Sequence, residues 1–215
     1  MKKKAVIFDM DGVVSDTQKF HAEVESVLLK EYGIDLSPEK ITKTYSGVAD
    51  EKMFEELFEK HNVTVPSIDA LVSRKWDVMR DLSRGRIEPI PHVLTLIQEL
   101  KKEGFKLAIA SASTKEFINE VMKELALENY FDELVSAQEV KQGKPAPDIF
   151  LLAASRLGVA PEESVVIEDG RSGMIGAKEA NMKCIGLISN KEEDYPATIV
   201  VTSLDQIKLA QIHAL

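Results

Sequence analysis

Four consecutive apolar residues precede two closely spaced aspartates in the stretch Ala5-Val6-Ile7-Phe8-Asp9-Met10-Asp11-Gly12. An apolar residue at every position is typical of a strand that is buried on both faces, as in a parallel sheet covered by helices. Side chains two apart on an extended segment point the same way, so Asp9 and Asp11 can face one site. The stretch therefore predicts a buried strand that delivers two carboxylates beyond its carboxyl end.

Short apolar runs of the same kind recur along the chain at wide intervals. They lie at residues 107–110, 134–135, 165–167, 184–188 and 198–201. Helical stripes, with apolar residues three and four apart, fall between them, for example Val93, Ile97 and Leu100. Strands that alternate with helices predict an α/β fold with a doubly wound parallel sheet.

One long segment interrupts this alternation. Between about Asp16 and Arg84 the apolar residues follow helical spacing only. A parallel crossover needs a single helix, and this segment is far longer than one helix requires. We therefore predict an inserted all-helical domain at residues 16–85, with the core domain formed by residues 1–15 and 86–215.

The composition limits the classes of function. With 44% hydrophobic and 29% charged residues the chain has a globular composition, and its net charge of −9 argues against a general nucleic-acid binder. Cys184 is the single cysteine and can form no internal disulfide, which indicates a reducing compartment. The apolar run behind the amino-terminal lysines is too short for a signal peptide, and no segment approaches the about 18 uninterrupted apolar residues of a membrane span. We predict a cytoplasmic monomer that binds neither nucleic acid nor a membrane.

Polar side chains follow four of the predicted strands. They are Asp9 and Asp11, then Ser111, then Lys144, then Glu168 and Asp169. In open α/β sheets, ligands bind outside the carboxyl ends of the strands, so we expect these groups to share one site. Carboxylates in that number repel one another unless a cation compensates them, and Mg²⁺ with a substrate phosphate suits such a set. Ordinary turn residues are the alternative, but four ordered strand ends argue against it.

The sequence FDMDGVVSDT at residues 8–17 resembles the first motif of the haloacid dehalogenase superfamily. Ser111 resembles the second motif of that family, Lys144 the third, and the pair Glu168-Asp169 the fourth. The insertion behind the first motif resembles the helical cap of the family's first subclass. Around Ser111 and Lys144 the chain is most similar to the beta-phosphoglucomutase-like branch, and the resemblance covers nearly the whole chain.

The resemblance implies a phosphoryl-transfer site. Asp9 would be the nucleophile that forms an aspartyl-phosphate, and Asp11 would act first as general acid and then as base. Ser111 and Lys144 would hold the transferring phosphoryl oxygens. The Mg²⁺ ligands implied are Asp9, the backbone carbonyl of Asp11, and Asp169, with Glu168 as a ligand or a supporting partner.

Further positions are candidates for substrate binding: Thr17, His21, Lys75, Ala112, Ser113 and Lys115. His21 stands where the mutase branch has a histidine that helps to gate the general acid, and the alternative is an ordinary exposed helical histidine. Thr17 either bonds Asp11 or caps a helix. Lys75 stands where the branch has a cap lysine, but a solvated helix face is favoured for it. Residues 113–115 either bind a phosphate or sugar hydroxyl, or form a helix N-cap.

The cap departs from the mutase pattern at two positions. Ser46 and Asp50 stand where phosphoglucomutases of this branch place a lysine and an arginine, and an acidic residue there would repel a second phosphate. We therefore predict a Mg²⁺-dependent phosphatase of a small phosphorylated metabolite, with a sugar phosphate as a candidate, and a hexose-phosphate mutase as the alternative. A receiver-like signalling domain belongs to another class. It is disfavoured because a switch should keep its phosphate, whereas Asp11 would help to remove it.

Overall fold

Six parallel strands form one sheet, in the order β3-β2-β1-β4-β5-β6. The computed structural model describes residues 3–45, 48–64, 67–188 and 194–215. The strands are β1 Ala5–Phe8, β2 Lys106–Ser111, β3 Glu133–Ser136, β4 Ser164–Glu168, β5 Lys183–Leu187 and β6 Ile199–Val201. Each predicted apolar run lies within one of these strands or extends one residue beyond it, so the predicted parallel sheet is confirmed.

The central strand β1 is buried on both of its faces. Val6 and Phe8 belong to one apolar cluster, and Ala5 and Ile7 belong to a second cluster. Strand β1 pairs with β2 on one side and with β4 on the other, so its backbone is also enclosed. Because successive side chains alternate between the faces of a sheet, a strand in this position needs apolar residues at every position.

The helices fall into two groups. The sheet is flanked by α5 Val93–Lys102, α6 Lys115–Glu124, α7 Asp148–Leu157, α8 Arg171–Glu179 and α9 Leu209–Ala214. The long segment after β1 forms α1 Gln18–Glu31, α2 Pro38–Tyr45, α3 Asp50–His61 and α4 Ile68–Ser83, which we call the cap helices. They lie within the predicted insertion at residues 16–85, and the exact boundaries of that domain stay a prediction.

The chain enters and leaves the cap helices through two adjacent links. The Asp16 N–H donates to the Glu88 carbonyl at 2.8 Å, and the Ile90 N–H donates to the Val14 carbonyl at 3.0 Å. The outgoing and returning segments therefore lie side by side at the carboxyl edge of β1, and the cap helices stand above that edge. In the described part of the chain, no helix has the length and apolar character needed to cross a membrane.

The order of the strands reverses beside β1. From β1 the chain builds β2 and β3 on one side, and then β4, β5 and β6 on the other. In sheets of this kind a crevice opens outside the carboxyl ends of the strands at the point of reversal, and ligands bind there. The groups that follow β1 and β4 therefore occupy the favoured position for a site.

Candidate active site

Lys144 lies between two carboxylates at the carboxyl edge of the sheet. Its Nζ atom is 2.5 Å from Oδ1 of Asp9 and 2.6 Å from Oε1 of Glu168. Asp9 directly follows β1, and Glu168 ends the neighbouring strand β4. All three side chains are buried. The fold therefore joins three of the predicted strand-end groups in one contact that is shielded from water.

These charges shift one another's pKa values. Burial raises the pKa of Asp9 to about 8, and the Lys144 ammonium opposes that rise. Burial by itself would lower the pKa of Lys144, but the charges of Asp9 and Glu168 outweigh it and raise that pKa. Burial also raises the pKa of Asp169 well above its usual range, and the nearby carboxylates add to the effect. The site thus holds more carboxylates than Lys144 can neutralise.

The surplus of carboxylates fits a divalent cation. Oxygen atoms of Asp9, Glu168 and Asp169 all lie within 4.8 Å of one another. The Asp169 carboxylate lies against Gly12 at the edge of this group, where its oxygens can bind a metal. Glu168 already binds Lys144, and it also accepts the Gly170 N–H at 2.6 Å. The donor set therefore suits Mg²⁺ on Asp9 and Asp169, with Glu168 in a supporting position.

Two glycines allow the carboxylates to approach the backbone this closely. Gly12 has a φ of +93°, and a β-carbon there would collide with the Asp169 side chain. A β-carbon at Gly173, in the first turn of α8, would collide with the Glu168 side chain. The position of Gly12 after the two aspartates signals a tight turn in the sequence. Gly173 carries no such signal, because its constraint comes from a strand end that only the fold brings near.

Asp11 is surrounded by hydrogen-bond donors. Its Oδ1 atom accepts the Thr17 hydroxyl at 2.5 Å and lies 3.1 Å from Nε2 of His21. Its Oδ2 atom accepts hydroxyls from Ser111 at 3.1 Å and from Ser113 at 2.8 Å. Burial by itself would raise the pKa of Asp11, but the His21 charge and these hydrogen bonds outweigh it and hold the pKa well below its usual range. These donors favour the ionised form of the Asp11 carboxylate, which can accept a proton.

The cap helices contribute a second charged cluster. Lys75 of α4 is fully buried, and its Nζ atom lies 2.7 Å from Oε1 of Glu25 and in contact with Oδ1 of Asp50. We call Glu25, Asp50 and Lys75 the cap ion cluster. Burial by itself would lower the pKa of Lys75, but the charges of Asp50 and Glu25 outweigh it and raise that pKa. His21 links this cluster to Asp11, because its Nδ1 atom is 4.0 Å from Oε1 of Glu25.

A cavity between the core and the cap helices brings the two sets together. The core side of its lining includes Asp9, Asp11, Ala112 and Ser113. The cap side includes His21, Glu25, Asp50 and Trp76. The proposed nucleophile, the proposed acid and base, and the cap carboxylates therefore face one space.

The cap residues differ from the sequence expectations in several ways. The preference for a solvated helix face at Lys75 is wrong, because Glu25 and Asp50 neutralise its charge in the interior of the cap. His21 is buried against Asp11 and is not an exposed histidine. Thr17 stands at the N-cap of α1, but its hydroxyl makes no capping hydrogen bond and binds Asp11 instead.

The residues behind β2 separate into two roles. Ser113 binds Asp11, whereas the neighbouring Thr114 caps α6 by accepting the Phe117 N–H at 3.3 Å. Lys115 does not line the cavity, because its Nζ atom donates to the Leu134 carbonyl. Ser46, the other cap position that departs from the mutase pattern, lies outside the described residues.

Sequence reasoning missed Glu25 as a member of the site. A weak signal exists, because Glu25 is one turn beyond His21 and sits beside Val24 on a helix face whose other residues are apolar except for His21. An acidic residue on a buried face needs a partner. That partner, Lys75, lies three helices further along the chain, and the spacing of residues does not reveal the contact.

A family model described as haloacid dehalogenase-like hydrolase matches residues 6–187, which is most of the chain. The chain belongs to the haloacid dehalogenase-like hydrolases. This membership accounts for the parallel sheet, the groups at its carboxyl edge and the helical insertion behind β1. The predicted superfamily is therefore confirmed.

Curated relatives cover almost the full length of this haloacid dehalogenase-like chain. A protein of Thermotoga maritima named phosphorylated carbohydrates phosphatase is 31% identical over 97% of this chain and 96% of its own length. A beta-phosphoglucomutase of Bacillus subtilis is 27% identical over 98% of this chain and 94% of its own length. The solved structure of a beta-phosphoglucomutase from Clostridium difficile matches with a TM-score of 0.87 and 29% identity, over 99% of this chain and 96% of that one.

Proposed function

We propose that the protein is a Mg²⁺-dependent phosphatase that hydrolyses a small phosphorylated carbohydrate through an aspartyl-phosphate on Asp9. The observation that carries the proposal is the pairing of Asp9 with Lys144 beside Asp11, with both aspartates facing one cavity. The family membership and the phosphatases among the relatives support the reaction class. The cytoplasmic location and the monomeric state stay predictions.

The proposed reaction runs in two steps on the chain's own residues. An Asp9 oxygen bonds to phosphorus, the bond from phosphorus to the carbohydrate oxygen breaks, and that oxygen takes a proton from Asp11, whose protonated form is favoured by the negative charge of the bound phosphoryl group. Asp11 then takes a proton from water as the water oxygen bonds to phosphorus, and inorganic phosphate leaves Asp9. Lys144 is placed to neutralise charge on the phosphoryl oxygens, and Ser111 is a further candidate to hold them.

Mg²⁺ would be held by Asp9 and Asp169, with the Asp11 backbone carbonyl as a predicted third ligand. When bound, it would supply positive charge that offsets the repulsion between the carboxylates and the substrate phosphate. Lys144 alone leaves that repulsion partly uncompensated, since its Nζ atom already neutralises Asp9 and Glu168.

Mg²⁺ should stabilise the folded protein. At about 100 times its dissociation constant the ion is expected to raise the melting temperature by about 5 to 10 °C. Asp169→Asn should raise the melting temperature of the metal-free protein, because a repelled carboxylate is removed, and should reduce the shift caused by Mg²⁺. Differential scanning calorimetry measures both effects. Asp205→Asn, on an exposed residue, is the control, and an undiminished Mg²⁺ shift in Asp169→Asn would contradict the assignment.

The charges of the cavity favour a phosphatase over a mutase. A mutase has to grip a second phosphate at the far end of a sugar bisphosphate, which requires cations. Among the described residues that line the cavity, none is a lysine or an arginine. Lys75 is neutralised by Glu25 and Asp50, and Lys115 is bound outside the cavity. Neither lysine is therefore placed to bind a second phosphate in place of the arginine that phosphoglucomutases have at the position of Asp50.

The products of one substrate distinguish the two activities. The substrate is beta-glucose 1-phosphate with a trace of glucose 1,6-bisphosphate. We expect the protein to form free phosphate from it faster than it forms glucose 6-phosphate. Asp50→Arg should shift the ratio toward glucose 6-phosphate, because a charge-assisted pair with phosphate strengthens binding by about 10- to 150-fold. Phosphorus NMR reports both products directly. If the unmodified protein forms glucose 6-phosphate and negligible free phosphate, the mutase replaces the phosphatase as the favoured function.

A further inference from the structure

Glu25 and Asp50 face the cavity, and the ammonium that they share does not. Both carboxylates are part of the lining, whereas Lys75 lies behind them with no exposed surface. Oε1 of Glu25 is 2.7 Å from the Lys75 Nζ atom, which also contacts Oδ1 of Asp50. The cap ion cluster therefore presents negatively charged oxygens to a bound molecule and keeps its positive charge out of reach.

The cap ion cluster carries one more negative charge than positive charge. Glu25 and Asp50 together bear two charges when both are ionised, and Lys75 neutralises one of them; burial raises the pKa of Glu25, and the Lys75 ammonium opposes that rise. His21 does not remove the surplus, because its Nε2 atom is 3.1 Å from Oδ1 of Asp11, which would balance a charged imidazole. A second metal ion is also not required there, since the Lys75 ammonium already occupies the position between the two carboxylates.

We propose that Glu25 and Asp50, held in place by buried Lys75, select substrates whose end remote from the phosphoryl group is uncharged and bears hydroxyls. Hydroxyl groups can donate hydrogen bonds to the cavity-facing carboxylates. A second anionic group, such as a phosphate or a carboxylate, would meet their surplus charge. The proposal rests on the proposed phosphatase function and adds a rule for which phosphorylated molecules the site accepts.

Lys75 acts here as a positioning residue. An ammonium that is buried without a partner is strongly disfavoured, so Lys75 holds both carboxylates toward it and limits the directions in which they can turn. It would have to give up these partners to reach a substrate phosphate. Because Lys75 is paired with both carboxylates, it is not free to attract anions, and the carboxylates in front of it repel them.

Matched ligands test this selectivity without turnover. Asp9→Asn protein loaded with Mg²⁺ is titrated by calorimetry with glucose 1-phosphate and glucuronate 1-phosphate, which differ only by the carboxylate at the far end. Glycerol 3-phosphate and 3-phosphoglycerate form a second pair. In each pair we expect the ligand without the carboxylate to bind about 10- to 50-fold more tightly than the ligand with it. This is the repulsion of one added charge by a carboxylate several ångströms away at an effective dielectric constant near 20.

Two substitutions should weaken the preference. In the Asp9→Asn background, Glu25→Gln and Asp50→Asn each remove the surplus negative charge. Each should bring the affinities for the two ligands of a pair to within about threefold of one another, mainly because the ligand with the carboxylate binds more tightly. Glu23→Gln and Glu51→Gln change exposed acids on the same two helices and should leave the preference intact. Circular dichroism checks the fold of each variant. If Glu25→Gln is unstable, Asp50→Asn alone tests whether the preference depends on the surplus charge.

The outcomes separate the inference from the function on which it rests. Equal binding of the charged and uncharged ligands by the starting protein would overturn the selectivity rule and leave the phosphatase proposal standing. A preference that survives both Glu25→Gln and Asp50→Asn would show that other groups cause it, and would overturn the assignment to these residues. Failure of all four ligands to bind would contradict the proposed function itself.

Discussion

Asp9→Asn should lower phosphate release by at least about 10³-fold on every substrate, because the amide cannot act as the nucleophile. The loss should be the same for sugar phosphates and for nitrophenyl phosphate, since bond formation to phosphorus fails before the leaving group matters. Steady-state rates on both substrates measure it. Mass spectrometry of acid-quenched protein should detect a phosphorylated adduct on the unmodified chain and none on the variant.

The structure provides a control for this substitution. Asp77→Asn alters an exposed aspartate of α4 whose contact is a hydrogen bond with Arg80, and it should leave the rate unchanged. Asparagine has nearly the shape of aspartate, so Asp9→Asn should keep the fold, which circular dichroism checks. Normal turnover by folded Asp9→Asn protein would exclude Asp9 as the nucleophile.

The core of the site could be predicted from the sequence because its geometry follows from the sheet. Parallel strands end at the same edge, so Asp9 and Glu168, at the ends of the neighbouring strands β1 and β4, had to approach one another once the strands were recognised. The apolar character of β1 at every position is a strong signal for a strand enclosed on both sides. Lys144 lies beyond β3, which β2 separates from β1, and the segment after β3 brings its ammonium back to both carboxylates.

The cap could not be predicted to the same depth. Helical periodicity reveals which face of each helix is buried, but it does not reveal which helices meet. The burial of Lys75 depends on Glu25 from α1 and Asp50 from α3, which only the packing of the cap brings together. A lysine in a helix is exposed in most proteins, and the general preference failed here because two acids neutralise this one.

The hydroxyls at the site show a similar limit. The sequence places Ser111 directly at a strand end, and the resemblance assigns it to the phosphoryl group. In the structure its hydroxyl donates to Asp11, together with the hydroxyl of Ser113. A serine hydroxyl rotates freely and can donate or accept, so its partner is decided by the local packing and not by the spacing of residues.

Asp11→Asn should have an effect that depends on the leaving group. For sugar phosphates we expect the rate to fall by about 10²- to 10⁴-fold, because the departing alkoxide needs a proton that asparagine cannot supply. Nitrophenolate needs no proton, so the first step with nitrophenyl phosphate should be nearly unaffected. Its second step should still be slow, since water attack on the aspartyl-phosphate has lost its base.

Rapid mixing separates these steps. Asp11→Asn protein should release a burst of nitrophenolate close to one equivalent, followed by slow steady turnover, and the phosphorylated adduct should accumulate on Asp9. Asp205→Asn, on an exposed aspartate outside the cavity, should show no such change. Equal losses on both substrates with no burst would refute the division of labour between the aspartates. An early burst and a late block, together with the adduct on Asp9, are the pattern expected if Asp11 transfers protons while Asp9 carries the phosphoryl group.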